Sequence, residues 1–203
     1  MIRPNSGTQV RSFGQISEHA GYIERDGCQL YYVLHAVQVP KALVLLAGPF
    51  ATERPYSYTP WVRWARFLAR NGYSVLRFDY RGVGESTGEF KDMSFNTWMD
   101  DIESWARWFR SQFPDCDSVL HGLGLGGLLA SRVFHKGCGD ALLLWSAPAS
   151  GEEVLKEAFL RRLAMDYALN DEGKRKNWQD YMAELDAGIS VYVQGYPITG
   201  RLW

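Results

Sequence analysis

Continuous apolar runs alternate with stretches of helical spacing along most of the chain. Residues 42–47 read Ala-Leu-Val-Leu-Leu-Ala, residues 73–78 Tyr-Ser-Val-Leu-Arg-Phe, residues 118–121 Ser-Val-Leu-His and residues 141–145 Ala-Leu-Leu-Leu-Trp. Short apolar runs without polar alternation are the pattern of parallel strands covered on both faces. Over residues 57–71, Trp61, Trp64, Ala65 and Leu68 recur at helical spacing, and Asn71-Gly72 is a C-terminal stop. Ser94 is placed to cap a helix reaching about residue 113, with Trp98, Ile102, Trp105 and Phe109 on one face. Residues 126–134, rich in Leu and Ala, open a third helix. Upstream, residues 22–25 and 29–36 predict two strands around a turn at Asp26-Gly27. Downstream, residues 151–187 are helical and highly charged with no strand signal, and residues 189–193 start something extended. The polar, glycine-bearing residues 1–15 read as a mobile arm ahead of a single domain over 16–203. This alternation predicts an α/β fold, a mostly parallel sheet flanked by helices.

The pattern changes sharply at residues 118–130, Ser-Val-Leu-His-Gly-Leu-Gly-Leu-Gly-Gly-Leu-Leu-Ala. A strand that turns abruptly into a helix crowds its backbone. Small residues on both sides of the central position relieve the crowding, and the central residue is driven to positive φ. This is the geometry of a nucleophile elbow, G-x-S-x-G, with Gly124 at the tip in place of the serine. The same stretch also satisfies G-x-G-x-x-G through Gly122, Gly124 and Gly127, the fingerprint of a dinucleotide site. That fingerprint asks for an acidic residue about 20 positions further on. Trp145-Ser146-Ala147-Pro148 offers none, so neither NAD nor FAD is expected.

Composition narrows the picture further. The 203 residues, 46% hydrophobic and 22% charged, suit one globular domain with a real core. A net charge of −1 without a basic stripe argues against a nucleic-acid partner. No stretch reaches the roughly 18 apolar residues of a membrane span, and the N-terminus has no apolar signal core. Cys28, Cys116 and Cys138 form no C-x-x-C and cannot all pair internally. Reduced thiols in a cytoplasmic protein are expected, with no cofactor and no metal.

Residues 40–150 resemble the α/β-hydrolase family of serine esterases, acyl hydrolases and peptidases. Leu46-Ala47-Gly48-Pro49-Phe50 stands where that family has its H-G-x oxyanion loop. Arg77-Phe78-Asp79-Tyr80-Arg81-Gly82-Val83-Gly84-Glu85-Ser86 is similar to its D-x-R-G-x-G-x-S loop, and residues 122–127 are similar to its elbow. The chain also resembles the small hydrolase-like proteins associated with bacterial exosortase and exopolysaccharide systems, some of which carry a non-serine residue at the elbow tip. The resemblance implies an oxyanion site built from the backbone of Leu125 and Phe50. Gly48, Asp79, Arg81 and Ser146 then line a pocket for a small ester, amide or lipid-like ligand. It also implies a lid over the site from residues 150–187, for which a helix packed on the sheet is the equal alternative.

The departures from the family pattern weigh as much. Acyl transfer on this fold takes a nucleophile, an acid and a histidine in that chain order. Gly124 has no side chain, and the histidines are His19, His35, His121 and His135, none of them late in the chain. Ala47 replaces the histidine of the oxyanion loop, and Pro49 has no N–H to donate. The acid- and base-bearing closing strands are not evident, so the fold is expected to be truncated at its carboxyl end and to self-associate. His121 reads as a buried histidine satisfied by backbone, Ser86 as a turn or cap residue, and Asp79 and Arg81 as groups that hold their loop in preference to lining a pocket. The expected protein is a hydrolase-family chain, inactive or incomplete at its nucleophile, with a non-catalytic binding or scaffold protein as the alternative.

Overall fold

The computed structural model describes residues 9–13, 16–49, 53–169, 175–193 and 195–202. Seven strands form one sheet in the order β1-β2-β3-β5-β4-β6-β7, where β1 is Gln9–Phe13, β2 Ile16–Arg25, β3 Cys28–Val37, β4 Leu43–Ala47, β5 Ser74–Phe78, β6 Ser118–Leu123 and β7 Ala141–Trp145. β1, β2 and β3 are antiparallel neighbours, and β3 meets β5 antiparallel. From β5 through β4 and β6 to β7 every pairing is parallel. The part of the arm at residues 9–13, expected to be mobile, is thus a strand paired along β2.

Helices cover both faces. α1 (Glu53–Arg70) buries Trp61, Ala65 and Ala69, and packs Trp61 and Ala65 against Val44, Leu46 and Val75. α2 (Phe95–Gln112) and α3 (Leu125–His135) cover the opposite face, where Leu43, Leu45, Leu76 and Leu120 meet Trp98, Ile102, Trp105 and Leu129. Alternate residues of β4 therefore serve the two cores, as the pleat requires. α1 begins ahead of the expected start, because Pro55 falls in the first turn, where a missing N–H leaves no bond unmade. Ser94 caps α2 by accepting from the Thr97 N–H at 3.2 Å.

The charged segment folds as α4 (Gly151–Leu169) and α5 (Trp178–Asp186), which pack on each other through Phe159, Trp178 and Tyr181. Leu155 and Phe159 reach the main core. A hairpin of β8 (Val191–Val193) and β9 (Tyr196–Ile198) follows, with Tyr196 against Phe90.

The connections fix where a site can form. From β4 the chain crosses to β5 on one side, and from β6 it crosses to β7 on the other. The carboxyl ends of β4 and β6 thus flank the switch point of the sheet, where open α/β sheets leave a crevice.

Candidate functional site

The turn after β6 sits at that switch point. Gly124 has φ 56° and ψ −131°, and α3 starts at the next residue. Its N–H donates to the Trp145 carbonyl at 3.0 Å, and its carbonyl accepts from the Gly127 N–H at 2.9 Å. The glycines beside it are required by contact. A Cβ on Gly122 would lie 2.3 Å from Gly127 Cα, and one on Gly126 would lie 2.2 Å from the Gly48 carbonyl oxygen. The turn after β6 is therefore wedged against the loop that leaves β4.

Two residues stand over the tip. A Cβ on Gly124 would meet Glu53 Oε2 at 2.4 Å and Pro49 Cβ at 3.4 Å. The Glu53 carboxylate, on the first turn of α1, fills the space into which a side chain at residue 124 would project. As first residue of α3, Leu125 carries an N–H without an intrahelical acceptor, directed to the crevice end of the helix. Phe50 lies outside the described residues. Gly48 and Pro49 border a small cavity together with Arg54, Tyr58, Trp61, Arg77, Asp79 and Tyr80, and the Tyr80 hydroxyl donates to the Gly48 carbonyl at 3.3 Å.

The loop after β5 is held from several sides. Asp79 accepts from Arg54 at 2.6 Å and from the Glu85 N–H at 2.9 Å. Ser86 donates to the Asp79 carbonyl at 2.7 Å and accepts from the Tyr31 N–H at 2.9 Å, so it is a turn residue. Arg81 turns away from the crevice. Its Nε and its backbone N–H both donate to the buried Asp101, at 2.7 and 2.9 Å, and its remaining nitrogens reach Asp26 and the Thr97 carbonyl. Asp79 therefore borders the crevice while Arg81 is a structural bolt between two loops. Ser146 is exposed at φ 48° just past β7 and does not border that cavity.

The histidines are spent elsewhere. His121 Nδ1 donates to the Leu143 carbonyl at 3.0 Å, and its ring is enclosed by Trp61, Trp64 and Trp145. Burial lowers its pKa and keeps it neutral. His35 lies fully buried between Glu18 and Arg77. His19 pairs with Ser17, and His135 ends α3. Among the described residues no group of three His, Cys, Asp or Glu side chains is gathered for a metal. Sequence reasoning missed Glu53, Arg54 and Tyr58, because nothing local ties the first turn of α1 to a turn so much later in the chain.

Comparison with known proteins now decides the family. The model of the family described as serine aminopeptidase, S33, matches residues 58–187. The chain belongs to this family of α/β hydrolases. No curated protein matches it in sequence. An α/β serine hydrolase without lid from Xanthomonas campestris is similar in structure, with TM-score 0.57 and 25% identity over 66% of this chain and 62% of that one. The fold is shared with an esterase from Pyrococcus furiosus, at TM-score 0.60 and 18% identity over 76% of this chain and 56% of that one. It is shared too with a protein from Butyrivibrio proteoclasticus solved with ferulic acid bound, at TM-score 0.51 and 23% identity over 60% of this chain and 50% of that one. The matches thus span between half and two thirds of those chains. Among the described residues of this chain no helix is long and apolar enough to cross a membrane.

Proposed function

We propose that this chain keeps the esterase-like architecture of its family and does not run a serine–histidine–acid reaction. One observation carries the reading: the tip of the turn after β6 is Gly124, at φ 56°, with the Glu53 carboxylate in the space a nucleophile would need. A degenerate elbow of this kind retains the Leu125 N–H and the crevice, and so retains the means to bind. The ligand class we assign is a small ester, amide or lipid-like molecule, and the Butyrivibrio protein, with ferulic acid bound, likewise takes a small organic molecule. The half-buried free thiols of Cys28, Cys116 and Cys138 fit a cytoplasmic compartment.

The test is turnover of nitrophenyl acetate by the purified chain. The rate should not exceed that of its free thiols and imidazoles in unfolded form. Gly124→Ser alone should stay near that level, because members of a catalytic triad act as a unit and one restored alone recovers little. Burst kinetics, with fluorophosphonate labelling of a serine such as Ser86 or Ser146, would place the chemistry elsewhere and overturn the proposal.

A further inference from the structure

A second cavity lies under α1, on the sheet face opposite α2 and α3, between that helix and strands β2, β3 and β5. Its volume is about 290 Å³, at the lower end of the roughly 300–1,000 Å³ typical of small-molecule pockets. Val33 and Val62 give it an apolar wall, and Tyr31 and Tyr58 an aromatic one. The charges lining it are Glu18, Arg66 and Arg77.

These charges do not cancel. Arg66 closes its fork on Glu18, with Nε to Oε1 at 2.7 Å and Nη2 to Oε2 at 3.0 Å, which makes a neutral pair. Arg77 donates its Nε to His35 Nε2 at 3.3 Å. His35 carries no charge at neutral pH, since burial and the adjacent Arg77 push its pKa down to about 4. The terminal nitrogens of Arg77 make no hydrogen bond among the described residues, and no described carboxylate lies within ion-pairing distance of them. The cavity therefore holds one cation in excess. A half-buried guanidinium is costly without a counter-charge, and its planar fork matches a carboxylate. The Tyr58 ring lies 5.9 Å from this guanidinium.

We propose that this cavity binds a small organic monocarboxylate, with the carboxylate on the Arg77 fork and the apolar body between Tyr58, Val33 and Val62. Tyr58 and Arg77 also border the cavity beside the turn after β6, whereas Val33 and Val62 border only this one, and nothing in the proposal depends on the chemistry at residue 124. The test is calorimetric titration of the full chain with benzoate, and in parallel with benzamide and inorganic phosphate. Benzoate should bind saturably, and uncharged benzamide about tenfold more weakly or worse. Phosphate, which has no apolar body, should bind more weakly than benzoate. Arg77→Gln should weaken benzoate by about tenfold or more. Because Arg77 also braces His35, Val62→Trp decides if that variant fails to fold. It fills the cavity from α1, leaves the charged groups in place and should abolish binding. Absence of saturable benzoate binding, equal affinity for benzamide or phosphate, or undiminished binding in Val62→Trp would each overturn the proposal.

Discussion

Two glycines of one turn separate backbone strain from close packing. Gly124, at φ 56° and ψ −131°, occupies a conformation that L side chains rarely adopt and hold only under strain. The contact above it at 2.4 Å is the far end of the Glu53 side chain, which can swing aside by rotating its own torsions. Gly124→Ala should therefore cost about 1–3 kcal/mol, with the fold kept. Gly126 has no unusual φ, yet a Cβ there meets the carbonyl oxygens of Ala47 and Gly48 at 2.3 and 2.2 Å. Those atoms belong to the end of β4 and cannot yield without opening the β4–β6 junction. Gly126→Ala should cost about 3 kcal/mol or more. Urea denaturation of both variants checks the order, and a mild Gly126→Ala would sink the argument. A pH dependence follows from His35, whose Nδ1 lies 3.3 Å from Glu18 Oε1 but off-line for a hydrogen bond. Its folded pKa is about 4 against 6.5 for the free side chain. Between those values the unfolded chain binds the extra proton, so stability is present above pH 6.5 and falls as the pH drops toward 4. The largest possible loss is about 3 kcal/mol. Measured as wild type minus His35→Gln, titrations of groups away from His35 cancel, including that of Asp101, whose carboxyl burial pushes up to about 6, while that of the adjacent Glu18 does not. The stability gap should narrow on acidification from pH 7 to pH 4, and a constant gap would refute it.

At the scale of elements, the parallel half of the sheet was legible because each of its strands is a short, mainly apolar run without polar alternation. The expected residues 141–145 coincide with β7, and Ser94 with the cap of α2. Replacing that cap, Ser94→Ala, leaves the Thr97 N–H without its acceptor and should lower stability by about 1 kcal/mol. Thermal melts of the two proteins measure the loss, and an unchanged midpoint would mean that water satisfies the donor equally well. The antiparallel half was less legible. β2 runs back to Ile16 through Ser17, Glu18 and His19, whereas the expected strand begins only at residue 22. What hides them is a partner on another element: Glu18 is mostly buried only because Arg66 of α1 closes over it. A single sequence shows the charge and not the partner. The candidate site divides in the same way. The glycine turn announces itself in three alternating positions, whereas Glu53 and Pro49 reach it only through the packing of α1 and the β4 loop.

At the scale of the whole molecule, the sheet closes at one end on β7, and that end is poorly covered among the described residues. β7 pairs with β6 on one side and with no described strand on the other. Leu143, Leu144 and Trp145 are 40%, 39% and 38% exposed, although such a run suits a strand buried on both faces. The apolar surface continues onto α1, where Trp64 stacks on the exposed Phe67 at 5.4 Å and meets Trp145 at 5.0 Å. An open row of backbone donors and acceptors, flanked by apolar side chains on both faces, is a template for another strand. The occupant we expect is β7 of a second copy, paired antiparallel across a two-fold axis, because that pairing satisfies both edges and brings the two Trp145–Trp64 surfaces together. Light scattering should then show a dimer at micromolar concentration. Leu144→Lys places a charge on the edge and should return the monomer, since edge lysines block strand pairing. That variant should lose little stability of its own, because Leu144 is already more than one third exposed. A monodisperse wild-type monomer with a high melting temperature would show that the edge is protected within the chain, and the dimer would be withdrawn.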